Sequence, residues 1–512
     1  MKQARWIPWI AFAIACSPPA APASDAGSVV DAQVAPDAPD APSGRVVSGM
    51  ATYEDLVPSE SGLPRTGPSS PIRRARVRVV DGAGTMLGLG TTDETGAFTI
   101  TLAAPAPSSA VVELTASMRD DVVEAYVTTN AGALHTIRTP LTGASVTIHA
   151  SAQVSDGRVA GPFNVLDRVA HLSDFLRAAA PAGTTMPRLV LHWELGSTDG
   201  TNAQRNEHTP FGDACVVRLL GRPDVDDDAF DDTVVSHEIG HCVAFAFSSY
   251  AAPRWRGHTT GIELEAGLAL NEGVATFLGQ RMSGTPHYID TRGDTDGFGY
   301  DIDRPAASDE TLGLYGEAAN AGALWDLTDS GAGDDETLSL TPEQFWTVFH
   351  QDVRDGVFKS IQTYLDGAVA HGYATYTALD TALGAQLGLH RPMSPTFPLG
   401  MLTPGAPQAG TVDATQGAHV DSRPLAAAID DWGFELAAGA TVHIALTNVG
   451  AMNDLDLYLE DTERNGIATS DATGTGDESI DATLAAGRYV VVVRAYEGPQ
   501  SAAAYSLLLG TP

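Results

Sequence analysis

Apolar positions along this chain repeat every second residue toward both ends and about every 3.6 residues between them. Arg76-Val77-Arg78-Val79 alternates polar and apolar, the pattern of a half-buried strand. Gly90 to Ile100 sets turn residues, Asp93 and Gly96 among them, between two β-rich runs. From Phe163 to Arg177 the period changes, and Val165, Val169, Leu172 and Leu176 share one helical face. Arg188 to Trp193 is a short strand. Asp231, Asp232 and Thr233 are capping-type residues, and acids suit the positive end of a helix dipole. They lead into Val234, Val235, Ile239, Cys242, Val243 and Phe245, a largely buried helix. Gly240 inside it costs about 1 kcal/mol against Ala, so something other than helix propensity holds it there. Glu263 to Phe277 reads as a second helix, apolar enough to pack on the first, and Leu314 to Leu327 as a third. Thr341-Pro342-Glu343-Gln344 opens further helices that run to about Leu387. From about Gly405 the period returns to two. Asp454 to Leu459 alternates strictly, Leu484 to Val493 is a turn entering a buried strand, and Ala504 to Leu509 is the last run.

These patterns divide the 512 residues into successive regions. In 1–16, Lys2 and Arg5 precede an apolar run, Trp6 to Ala15, too short to span a bilayer, which is the form of a targeting segment. In 17–43, Pro, Ala, Asp and Ser dominate with almost no large apolar group. Such a run cannot bury enough surface to fold and reads as a solvated tether. Residues 44–150 are all-β, 151–400 mix helix and strand, and 405–512 are all-β again. The expected fold is multidomain: a β-sandwich, an α+β domain, then a second β-sandwich. A net charge of −35 and a pI near 4.5 exclude a nucleic-acid partner, whose phosphates would be repelled, and suit an exported protein.

The chemistry concentrates in His237-Glu238-Ile239-Gly240-His241. Residues four apart lie one turn apart on one helix face, so both imidazoles can meet a single ion. Glu238 lies about 100° round the helix, placed to take a proton from a bound water. Zinc suits the arrangement, because imidazole and carboxylate are ordinary zinc ligands and a catalytic site keeps a position open for water.

A third ligand defines the class. Asn271-Glu272-Gly273-Val274-Ala275 resembles the Asn-Glu-Gly-x-Ala segment of gluzincin metallopeptidases, here after a longer linker than usual. The resemblance implies Glu272 as third zinc ligand, with Glu265, two turns earlier on the same face, as the competing acid. It also implies that the strand Arg188 to Trp193 presents an edge to extended peptide substrate. The start of the Leu314 to Leu327 helix resembles the family's Tyr-x-x-Gly helix, with Ala318 in place of the Gly, which implies Tyr315 as the group stabilising the oxyanion. His258, in a loop, is the other candidate for that hydrogen bond. The strand ends His192-Trp193-Glu194-Leu195-Gly196, without the amino-group-binding segment of the aminopeptidase branch, which favours an endopeptidase.

Three further stretches carry resemblances. Ala13-Ile14-Ala15-Cys16 resembles a bacterial lipobox, which implies a lipidated Cys16 and an outer-membrane or surface location, with ordinary secretion as the alternative. Thr92 to Phe98 resembles the turn of carboxypeptidase-regulatory-like, transthyretin-type sandwiches. Asp454 to Leu459 together with Ala486-Gly487-Arg488-Tyr489-Val490-Val491 resembles the bacterial pre-peptidase C-terminal domain. Cys215 and Cys242 either form a disulfide or stay buried thiols. The acidic segment Asp290 to Asp303, which includes Asp294-Thr295-Asp296-Gly297, carries oxygen ligands of the kind calcium takes but lacks the full loop spacing and a closing Glu, with a solvated loop as the other reading.

Together these imply a lipid-anchored zinc metallopeptidase acting on protein or peptide, with Glu238 as general base and the membrane met through its anchor. The competing class is a surface-binding lipoprotein with a vestigial peptidase domain.

Overall fold

The computed structural model describes residues 45–103, 107–248, 257–258, 261–304, 311–329, 338–356, 358–390, 397–415, 425–450 and 452–510. The expected targeting segment, Cys16 and the tether lie outside them.

The N-terminal strands form two sheets face to face. In one, Val46–Glu54 runs beside Ser145–Ala150, Ser69–Pro71 and Ala97–Thr101. The other has the order Met86–Thr91, Arg76–Val80, Val111–Thr115, Thr136–Pro140. Alternation decides the faces: Val77 and Val79 are 0% exposed, while Arg78 points out to Glu113. The turn before Phe98 is built by Asp93, whose Oδ1 accepts from Thr95 N (2.8 Å), Thr95 Oγ1 (2.7 Å) and Ala97 N (3.0 Å). Gly96 has φ +81°, and a Cβ there would fall 2.2 Å from Ala51 O, so only glycine fits.

This β region is continuous with the helical one. Strands Ser117–Arg119 and Glu124–Thr128 belong to a five-stranded sheet completed by Leu189–His192, Gly212–Arg218 and Asn202–Thr209. A single hydrophobic core runs from Val47 to Leu389 through both regions. Leu189–His192 pairs in parallel with Glu124–Thr128 on one side and Gly212–Arg218 on the other. The strand expected to offer a free edge is therefore interior, and the edges of this sheet are Asn202–Thr209 and Ser117–Arg119.

Helix α1 (Gly161–Ala179) packs on this sheet and against α2 (Asp232–Phe247), and α2 pairs with α3 (Ala266–Ser283). The α2–α3 pair is close because glycines sit at its crossing. A Cβ on Gly240 would stand 2.7 Å from Ala275 O, and one on Gly279 would stand 2.8 Å from His237 N. Backbone atoms cannot yield as a flexible side chain does, which accounts for a glycine inside α2 despite its propensity cost. Helix α4 (Glu317–Asp326) packs on the far side of α3.

The C-terminal strands form a second sandwich. Its sheets have the orders Gly400–Met401, Ile429–Leu436, Gly487–Glu497, Asp454–Asp461, Gly466–Ser470 and Gln408–Val412, Ala503–Gly510, Ala440–Asn448, Glu478–Leu484. Leu455, Leu457 and Leu459 enter the core between them. The polar face of that strand is covered too: Asp456 accepts from the Tyr458 hydroxyl (2.8 Å), and Tyr458 packs in a cluster capped by Phe358. The sandwich thus seats on the helical region. Ala426 N donates to Glu263 O (3.0 Å), just before α3. Beside it Arg464, 6% exposed, faces Asp431 (2.9 Å), Glu460 (2.8 Å) and, across the seam, Glu265 (3.8 Å).

Candidate metal centre

Helix α2 is anchored at both ends of its working stretch. Asp231 stands at its N-cap but does not cap it; its carboxylate accepts from Thr291 N (2.7 Å) and Thr291 Oγ1 (2.9 Å). Thr233 likewise donates to Ile289 O (2.6 Å). Asp231 and Thr233 therefore tie the helix start to a hairpin, His287–Thr291 with Gly297–Asp301, while Asp232 is held by Asn164 (2.8 Å) and Arg168 (2.9 Å) of α1. Further along, Cys242 is joined by a disulfide to Cys215 on the neighbouring sheet.

Between these anchors His237 and His241 point to one spot. Their rings stand 4.7 Å apart and nearly perpendicular, at 89°. His237 Nδ1 meets Thr276 Oγ1 of α3 at 3.0 Å, which leaves its Nε2 facing the spot. Glu272 comes in from α3: its Oε2 is 3.4 Å from His237 Nε2 and 3.2 Å from His241 Nε2. All three residues are buried, and each offers one ligand atom to a common cluster. Zinc bonds of about 2.0–2.2 Å place tetrahedral ligand atoms roughly 3.3–3.6 Å apart. The observed spacings lie at that length, and the donor set of two imidazoles and a carboxylate fits zinc.

Glu238 stands outside the ligand set. Its Oε2 is sealed from solvent and meets no hydrogen-bond donor among the described residues. Burial, followed in sign by Glu272, raises its carboxyl above the ordinary value, while the histidines pull it down. Glu272 shows the opposite balance. Burial pushes it up, but His258 and His241 outweigh that and hold it well below the usual range. The two neighbouring carboxyls are thus pushed in opposite directions.

His258 reaches the same place. Its Nε2 is 3.4 Å from Glu272 Oε2, and its Nδ1 is 2.9 Å from Glu317 Oε2 at the start of α4. Tyr315 is not brought there. The acids that weigh on its phenol are Asp431, Asp430, Glu265 and Glu263, at the seam with the C-terminal sandwich, so its expected role at an oxyanion is not supported by its placement. Glu265 is also elsewhere: it caps α3, accepting from Leu268 N (2.9 Å), and faces Arg464, so Glu272 is the acid at the centre. Of the acidic segment Asp290 to Asp303, Asp294 pairs with Arg65 at 2.8 Å on the surface, and among the described residues only Asp290 of its acids belongs to a carboxylate cluster.

Sequence reasoning missed Thr276, Glu317 and Tyr288, whose ring lies 6.3 Å from that of His237. Thr276 had a signal available, since it sits one helical turn beyond Glu272 on the same face. Glu317 and Tyr288 come from separate elements and had none.

Residues 428–495 match the family model of the bacterial pre-peptidase C-terminal domain, and this stretch is such a domain. Among solved structures the chain is similar to the pre-peptidase C-terminal domain of a Bacillus anthracis collagenase, at 17% identity over 22% of this chain and 90% of that one, with a TM-score of 0.17. It is also similar to Aeromonas hydrophila PliG, a periplasmic lysozyme inhibitor, at 15% identity over 21% and 85%, with a TM-score of 0.14. A third is the CBM35 of Cellvibrio japonicus Abf62, at 19% identity over 20% and 89%, with a TM-score of 0.13. No curated protein matches the chain.

Proposed function

We propose that the chain is an exported zinc-dependent peptidase of the gluzincin type, cutting within polypeptides. The observation that carries this reading is the meeting of His237 Nε2, His241 Nε2 and Glu272 Oε2 beside a buried Glu238 oxygen that no donor among the described residues meets. Support comes from the company of a C-terminal domain whose family is described by its attachment to peptidases. The lipobox-like run ending at Cys16 supports anchoring in a bacterial membrane, and the regulatory-like turn at Thr92 to Phe98 an accessory β-sandwich before the catalytic region.

His237, His241 and Glu272 would hold the zinc, which when bound supplies a Lewis acid and lowers the pKa of water toward neutrality. The remaining roles fall to the chain's own groups. Glu238 accepts the proton lost by the attacking water and returns it to the leaving amine. Its carboxyl suits both halves of that task, because burial brings its pKa up toward the working pH. His258, oriented by the Glu317 carboxylate, donates to the charge that develops on the substrate carbonyl oxygen. Thr276 fixes the His237 ring through Nδ1, as partners of ligating histidines commonly do.

Digestion of a denatured protein or a peptide library by the purified chain tests the reading. Cleavage is expected to stop with a chelator and return with added zinc. Cleavage that continues undiminished in chelator, or none at all from zinc-loaded protein, contradicts it.

A further inference from the structure

We propose a second cation site, for a hard divalent ion of the calcium class, formed by Asp226, Asp228, Asp231 and Asp290. Each carboxylate offers one oxygen, and the four oxygens lie within 4.8 Å of one another. Oxygens bound to a single Ca²⁺ at about 2.3–2.6 Å stand at most about 5 Å apart, so one ion can meet all four. The donor set is oxygen only, which selects calcium or magnesium over zinc.

The charge needs such a partner. Asp228 and Asp231 are 2% and 0% exposed. Asp226 and Asp290 each carry an Oδ1 that solvent does not reach and that no donor among the described residues meets. Asp228 Oδ2 takes Thr201 Oγ1 and Leu220 N, and Asp231 takes Thr291, all of them neutral donors. Among the described residues, the cation that bears on the group is Arg292, which acts on Asp226 and Asp290. One guanidinium and the positive end of α2, worth roughly half a charge, do not balance four carboxylates. Buried charges without that balance are costly, so the group must take up a cation or protons.

The site joins three elements: the short strand Asp226–Asp227, the start of α2, and the strand His287–Thr291. An ion there pins the beginning of the histidine helix to the hairpin that carries Tyr288. None of the four residues belongs to the zinc cluster, and the inference does not rest on the peptidase reading.

Calcium titration of the purified full chain, stripped of metal and followed by calorimetry, tests it in wild type, Asp290→Asn and Asp226→Asn. Terbium luminescence excited through nearby Tyr288 gives a second readout. Each variant is expected to bind one Ca²⁺ fewer than wild type and to lose at least tenfold of the terbium signal. Matching circular dichroism spectra and an unchanged zinc content show that the variants are folded, and Glu272→Ala is expected to keep the calcium. Equal calcium stoichiometry and affinity in wild type and both variants would overturn the site. So would a wild type that binds no calcium and only takes up protons on these carboxyls.

Discussion

Glu238→Gln is expected to lower kcat/KM by about 10²–10⁴-fold while the protein keeps its zinc. The amide has nearly the shape of the carboxylate, and Glu238 lies outside the ligand set, so the metal should not notice the change. What is lost is the basic oxygen. The dependence on pH has a definite sign. Activity requires Glu238 ionised, and burial raises its pKa above the ordinary 4.5. The acid limb of kcat/KM should therefore lie above 4.5, with activity falling as pH drops through it. His258→Ala should reduce kcat less, and also without loss of zinc. Steady-state kinetics alongside metal analysis separates these outcomes. A Glu238→Gln protein with full activity would remove the general base.

Arg464→Ala is expected to cost about 3–5 kcal/mol of stability, among the largest effects any single change in the chain should have. The side chain of Arg464 is 3% exposed and is the shared partner of Asp431, Glu460 and Glu265. Removing it leaves three carboxylates buried without a guanidinium, which is the costly way to break such a group. Lysine should rescue only in part, because an ammonium cannot present the planar fork to three acids. Since Glu265 caps α3, the loss should loosen the seam between the C-terminal sandwich and the helix that carries Glu272. Urea unfolding of wild type, Arg464→Ala and Arg464→Lys checks this. A variant within 1 kcal/mol of wild type, well short of that cost, would show that the seam is weakly held.

The parts of this architecture visible in the sequence are those governed by short periods. The spacing His237-x-x-x-His241 sets both rings on one face of α2, and the marks at Asp454 to Leu459 and Gly487 to Val491 lie within the matched pre-peptidase C-terminal domain. What stayed hidden depends on which elements meet. Alternation from Asp454 to Leu459 suggests one wet face, yet the strand is buried on both because the helical region covers its outer side. The strand Leu189–His192 reads the same whether at an edge or inside a sheet, and only its parallel neighbours decide. Glu265 and Glu272 share a helix face, but α3 is long enough that one meets Arg464 and the other the histidines. The four aspartates of the second cluster run from 226 to 290, and no local pattern joins them.

Zinc content of the purified chain, measured after dialysis against metal-free buffer, bears most directly on the three-ligand centre. One zinc per chain is expected in wild type and in Glu265→Ala, and close to none in Glu272→Ala. Full zinc retention in Glu272→Ala, or a wild type that holds no zinc, would contradict the centre.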